Sequence, residues 1–413
     1  MNKLKQIISN NAKLFSFIGL SYFDKMVIFL LPLAVLQLFQ DKSEYITVEY
    51  IYSVAILIIP FLDLGISGYF FYAYRNASNY RKVVAEVLKI FHLIYLALMF
   101  LGLAFIFIHY LLIPFEEYIV CIVFRCLFLL VFTFLTSYYR LINKPQKALF
   151  VTMSANIFSL LFVLTYFFLG KDFEYWLIFL GQIIFCVVFF FQTLKRVISK
   201  WTKSYKIVQK IDWLKKSFLF SWPNIIQVFI LMYVANYGKI NALENLSVED
   251  GVLLSLTQRF SMLIHLTHTA IMGFLLKDLF VSEDVLAINK NIFIKYVLLL
   301  LSALVIVVVF LIGYMYIVDN EYTMNQLIFN IGFIVSYTFT WCVYSHFEIY
   351  YSRENKNILK LYLAIFNGTL FIGIFNALQF GYLERITLAM FLSTFVTLLL
   401  SMFILRRRNY KLV

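Results

Sequence analysis

Apolar residues fall into twelve long runs, and the short polar stretches between them alternate in kind: one is rich in Lys and Arg, the next nearly lacks them. A run of about 20 apolar residues matches a hydrocarbon core of roughly 30 Å crossed at about 1.5 Å per residue. The pattern predicts membrane spans over approximately Leu14–Phe39, Val48–Tyr74, Val83–Ile108, Tyr118–Tyr139, Leu149–Leu169 and Tyr175–Thr193. Six more follow at Phe218–Tyr237, Val252–Leu276, Val297–Ile317, Met324–Tyr350, Leu361–Phe380 and Ile386–Leu405. Loops on one side, with both termini, hold 27 of the 35 basic residues; those on the other side hold Lys42, Lys171, Lys239 and Arg385. Basic loops stay on the cytoplasmic side, so the alternation sets an orientation with both termini cytoplasmic.

Composition narrows the class. With 63% hydrophobic and 14% charged residues, the chain is an all-α polytopic membrane protein. The net charge of +13 resides mainly in the loops read as cytoplasmic, where it faces an anionic inner leaflet; no nucleic acid is expected as a partner. Cys121, Cys126, Cys186 and Cys342 all lie inside spans, without the spacing of a metal site, so neither metal nor cofactor is expected.

The longest interruption divides the chain into an N-terminal six-helix half (1–194), a basic linker (195–217) and a C-terminal six-helix half (218–413). Ile198, Trp201, Tyr205, Val208 and Ile211 recur at helical spacing among lysines, a pattern that an amphipathic helix on the inner leaflet and a solvated connector both satisfy. Two halves of even span number run in the same sense, which predicts a central cleft between them. The outer loops are short, the longest being Gly238–Gly251, and none could house a folded catalytic domain.

Ionisable residues inside spans cost about 2.5–3.5 kcal/mol at a helix centre and usually face a bundle interior or a wet cavity. Span 8 is the most polar helix, with Ser255, Gln258, Arg259, Ser261, His265 and His268 recurring every three to four residues. Lys25, Arg125 and Arg259 come from separate spans and reach similar mid-membrane depths by helical rise. Two readings are open: structural ion pairs with Asp24 and Asp63, or a cationic cleft that receives an anionic group such as phosphate. Asp24, Asp63 and Glu348 are candidates for binding a coupling proton or Na⁺. On span 10, Tyr337, Trp341, Tyr344 and Glu348 share a face, and core packing is the plainer reading of its rings. Pro60, Gly65 and Gly68 are expected to loosen span 2 around Asp63.

Twelve spans split six plus six resemble the multidrug/oligosaccharidyl-lipid/polysaccharide superfamily, and more narrowly its Wzx-type flippases of O-antigen or capsule repeat units. The local cues are Asp63-Leu64-Gly65-Ile66-Ser67 late in span 2, where the family folds back; Tyr139-Arg140 with Lys147-Ala148; and Ser221-Trp222-Pro223 opening span 7. The family's Asp-Arg near the outer end of span 7 is replaced here by Tyr237-Gly238-Lys239-Ile240, which keeps only the basic residue. The resemblance implies export of an undecaprenyl-pyrophosphate-linked oligosaccharide across a bacterial inner membrane by alternating access, without covalent chemistry. Lys25, Arg125, Arg259, His265 and His268 would bind this substrate. Membrane lipids and a polysaccharide polymerase machinery are the implied partners. The rivals are a Wzy-type polymerase, which would need a large outer loop, and a cation-coupled multidrug exporter.

Overall fold

The computed structural model describes residues 19–20, 22–75, 80–112, 116–142, 144–204, 207–241, 245–281, 289–318, 324–354 and 356–409. Among these, every regular element is helical. In chain order they are α1 (Tyr22–Phe39), α2 (Lys42–Leu62), α3 (Ile66–Arg75), α4 (Tyr80–Leu112), α5 (Tyr118–Leu141), α6 (Pro145–Phe168) and α7 (Trp176–Ser204). The remainder are α8 (Ile207–Ile240), α9 (Val248–Val281), α10 (Asn289–Val318), α11 (Met324–Arg353), α12 (Asn357–Ala377) and α13 (Tyr382–Asn409). Backbone satisfaction explains the choice, since a helix closes its own hydrogen bonds where lipid offers none.

Eleven of these helices are long and apolar enough to cross a membrane. The twelfth expected span, number 8, falls within α9, whose 34 residues suffice in length. The second expected span is two helices, α2 and α3, and the reason is local. Leu64 and Gly65 adopt positive φ (48° and 69°), ending α2, and Asp63 then caps α3. Its carboxylate accepts from Ser67 Oγ at 2.7 Å and from the Ser67 amide at 3.3 Å. Such a cap satisfies donors that a broken membrane helix would otherwise leave bare.

The break is held from outside as well. Ser221 of α8 donates its hydroxyl to the Gly65 carbonyl at 3.0 Å, and a Cβ built on Gly65 would sit 1.9 Å from that of Ser221. Glycine is required there by both conformation and contact. Two segments that carry the family resemblance, far apart in sequence, therefore meet. Pro223 lies inside α8 without ending it, so span 7 continues back through the basic linker as one helix from Ile207. The side chains of 200–211, on which the amphipathic reading depends, lie outside the described residues.

The chain forms two compact units, Met1–Phe229 and Ile230–Val413. In the first, α5 packs against α2, α4, α6 and α7, and a core of Phe70, Phe91, Phe128 and Phe134 fills the space between α3, α4 and α5. Phe91 and Phe134 stack with centroids 3.7 Å apart. In the second, α11 takes the central position, packing on α9, α10, α12 and α13. Its Tyr337 joins Phe371, Phe375, Ala389 and Met390 in the core, and Tyr344 is fully buried, in keeping with core packing for both rings.

Candidate functional site

In a helix surrounded by hydrocarbon and packed protein, a carboxylate must find its partners on neighbouring helices. Asp24 of α1 is fully buried and does so on α6. Thr152 donates its hydroxyl to Asp24 Oδ1 at 3.1 Å, and Asn156, one turn further along α6, lies beside the carboxylate. Asn156 is itself held from α7 by Gln182, whose Nε2 donates to its Oδ1 at 3.3 Å. The approach of α6 and α7 that allows this depends on Gly181: a Cβ there would lie 2.2 Å from the Ala155 carbonyl oxygen. The Gly181 amide donates to Ser159 Oγ at 3.0 Å. Small residues at membrane helix contacts permit such backbone proximity.

Two of the expected cations belong to this network. Lys25 Nζ lies 3.8 Å from Asp24 Oδ2 and 5.1 Å from the Phe132 centroid, with its side chain one-third exposed while that of Asp24 is wholly covered. Arg125 of α5 is buried, its guanidinium 4.3 Å from the Tyr52 centroid and 5.9 Å from that of Phe128. Both cations are near enough to act electrostatically on Asp24. The arrangement is a buried acid among hydroxyl and amide groups, with one ammonium at the limit of an ion pair. It offers an anion only those cationic faces that Asp24 and the rings do not occupy.

The other expected residues lie in the second unit on α9. Arg259 is buried, and so are its neighbours on every side from Gly251 to Ser261, so this stretch of span 8 is covered all round rather than along one face. Gln258 donates to the Ala235 carbonyl at 3.1 Å, and Thr338 donates to Ser261 Oγ at 2.9 Å. His265 stacks on Trp341 and His268 contacts Tyr296. Glu348 of α11 is near Tyr344, with which it shares a hydrogen bond, and near Lys360 of α12. By sequence Lys360 counts among the cytoplasmic loop cations; it is instead buried in the first turn of α12, donating to Ser352 Oγ at 2.7 Å. Asp63 serves the helix break described above.

Sequence reasoning does not single out Glu49, Asn156, Gln182, Tyr296 or His346, all buried. Glu49 falls one residue inside the expected start of span 2, where an acid looks like a boundary; α2 begins earlier, at Lys42, and encloses it. Asn156 and Gln182 are legible as lone amides in apolar runs, a signal that attention to charge passes over. Among the described residues no group of three or more His, Cys, Asp or Glu side chains is placed to hold a metal ion, and all four cysteines are free and buried.

No family model and no curated protein sequence matches this chain. Solved structures do. The MATE multidrug transporter DinF-BH superposes with a TM-score of 0.63 over 95% of both chains at 14% identity. The Vibrio cholerae MATE transporter VcmN in its bent form gives 0.58 over 96% of both at 11% identity. The fold is that of the MATE transporters. A third structure with it, an outward-facing multidrug resistance MATE transporter of the MOP superfamily, gives 0.57 over 97% of this chain and 96% of its own, at 13% identity. The MATE fold accounts for near-complete coverage from end to end, and identity this low speaks to fold alone.

Proposed function

We propose that the chain is a multi-pass exporter of the bacterial inner membrane that works by alternating access and is coupled to a cation through Asp24. The observation that carries this reading is the buried carboxylate of α1, held by Thr152 beside Asn156, with Lys25 Nζ 3.8 Å away, within a MATE fold. A carboxylate so placed binds a proton or Na⁺ by displacing Lys25, and its charge state then sets how α1 packs against α6. The cargo by this reading is an amphipathic small molecule, as for the multidrug transporters that share the fold.

A second reading keeps the fold and changes the cargo to a lipid-linked oligosaccharide, as the resemblance to Wzx-type flippases implies. Three cations buried or half-buried in spans, Lys25, Arg125 and Arg259, favour it, because guanidinium and ammonium groups hold pyrophosphate well. A polymerase is disfavoured by the short outer loops.

Purified protein in liposomes separates the two. Under an imposed proton or Na⁺ gradient, the first reading expects accumulation or efflux of a lipophilic cationic dye in the wild type and none in Asp24→Asn. Inert dye together with transbilayer movement of a polyprenyl-pyrophosphate glycan would transfer the cargo to the second reading. Movement of neither would overturn the transport reading itself.

A further inference from the structure

Three of the chain's five histidines meet in one place, well away in sequence from Asp24. His265 and His268 sit one turn apart on α9 with ring centroids 5.7 Å apart, and His346 approaches from α11. Aromatic rings close the cluster. Trp341 of α11 stacks on His265 at 5.4 Å and 16°, and Tyr296 of α10 lies 5.1 Å from His346 and 5.9 Å from His268.

The hydrogen bonds assign the protons. Tyr296 Oη donates to the Cys342 carbonyl at 2.9 Å, which uses its single hydrogen. The 2.6 Å contact between Tyr296 Oη and His268 Nδ1 must then have the imidazole as donor. His268 therefore carries its hydrogen on Nδ1, and Nε2 is its basic nitrogen. Among the described residues that ring has no other hydrogen bond. His346 Nδ1 faces the Met272 thioether at 3.5 Å, and His265 Nδ1 lies 3.9 Å from Cys342 Sγ. The groups facing the α9 pair include Tyr296 from α10, with Trp341, Cys342 and His346 from α11. On α9 itself the cation nearest in sequence is Arg259, six residues before His265.

We propose that this cluster is a proton-binding site in the second unit, which takes one proton between His265 and His268. Two imidazolium rings at 5.7 Å would repel one another, so the pair accepts a single charge. The ring that takes it is already stacked: Trp341 presents its π-face to His265, and an indole face attracts a cation. No metal is implied, since no three ligating side chains are disposed to hold one among the described residues. Any use of this proton in transport rests on the export reading above; the binding itself does not, and its test requires no transport.

A protonated histidine stacked on an indole quenches its fluorescence, so Trp341 reports the event. Purified full-length protein in nanodiscs is titrated between about pH 8 and pH 4, the range in which imidazoles change charge, and the emission of Trp341→Phe is subtracted. The expected result is an acid-quenched Trp341 component that is lost in His265→Gln, weakened or shifted in His268→Gln, and retained in His346→Gln. A flat difference curve in the wild type would overturn the proposal. So would a component that survives both His265→Gln and His268→Gln, or one that His346→Gln alone removes. Unchanged elution on size exclusion shows that each variant remains folded, and the His346→Gln arm assigns the charge even if one α9 variant does not fold.

Discussion

The two units bury polar groups in different ways. The first holds fixed charges, with Asp24, Lys25 and Arg125 together among hydroxyls, amides and rings. The second also buries Arg259 and Lys360, and adds a cluster of imidazoles that are neutral until protonated, His265, His268 and His346, closed by Tyr296. The contrast extends to the helices of equal rank in each set of six. Span 2 is broken at Asp63–Gly65 and spends its acid on a cap, whereas α9 of span 8 runs unbroken for 34 residues and carries histidines instead. A fixed charge needs permanent partners and makes its surroundings rigid. An imidazole can be held neutral by ordinary hydrogen bonds, as His268 is by Tyr296, and becomes charged only when a proton arrives.

The sharpest way to break that comparison is to remove the acid. Asp24→Asn keeps the size and the acceptor for Thr152 but takes away the charge, and transport driven by a cation gradient should fall at least about tenfold, equivalent to about 1.4 kcal/mol in the rate-limiting step. His268→Gln in the same liposomes should leave turnover within a few-fold and alter its dependence on pH. If the two variants behaved alike, the units would not differ in role.

The next largest effect concerns the broken span. Gly65→Ala forces a Cβ into Ser221 and places a side-chain-bearing residue at φ 69°, which costs about 1–2 kcal/mol from conformation alone. Its melting temperature should fall clearly below that of the wild type. Adding Ser221→Gly should recover the part due to the clash and leave the conformational part, because the second substitution opens space without changing φ. An alanine placed in unbroken α9, such as Ser255→Ala, should shift melting far less. Equal losses at both positions would mean that the break at Gly65 is not under special constraint.

Much of this architecture is legible in the sequence because the bilayer imposes a simple rule. Apolar length and loop charge report the spans directly, and they locate twelve, eleven of which coincide with helices that are long and apolar enough to cross a membrane among the described residues. Gly65 and Pro60 announce the weakness of span 2, since glycine and proline act on the backbone at their own positions. Partners across helices are not legible. Lys25 and Asp24 are neighbours in the chain, but their link to Thr152 and Asn156 depends on how α1 meets α6, and no periodicity within one helix encodes that. His346 escapes notice for a similar reason: only the packing of α11 on α9 and α10 brings it to the other histidines. Lys360 is misplaced by loop counting because loop-adjacent lysines usually snorkel to water, whereas this one has Ser352 within 2.7 Å and Glu348 nearby.

The smallest effect tests the rigidity of the first unit most finely. Thr152→Val removes one hydroxyl and replaces it with a methyl of similar volume, so packing between α1 and α6 is retained. What is lost is the hydroxyl that lies 3.1 Å from Asp24 Oδ1 and shares its one hydrogen with the Leu149 carbonyl at 3.0 Å; a bond to a charged group is worth about 1.5–3 kcal/mol in general, and less here, where alternative partners moderate the loss. Lys25 and Asn156 remain beside the carboxylate, so the acid is not abandoned. Deprived of one stabilising donor, however, the charged form becomes harder to maintain, and the carboxyl should hold a proton up to higher pH than in the wild type. Gradient-driven transport by Thr152→Val should therefore persist, with its pH profile moved to the alkaline side and its maximal rate reduced only a few-fold. A profile that moved the other way would mean that the hydroxyl supports the protonated acid, and that Asp24 is neutral in the resting protein.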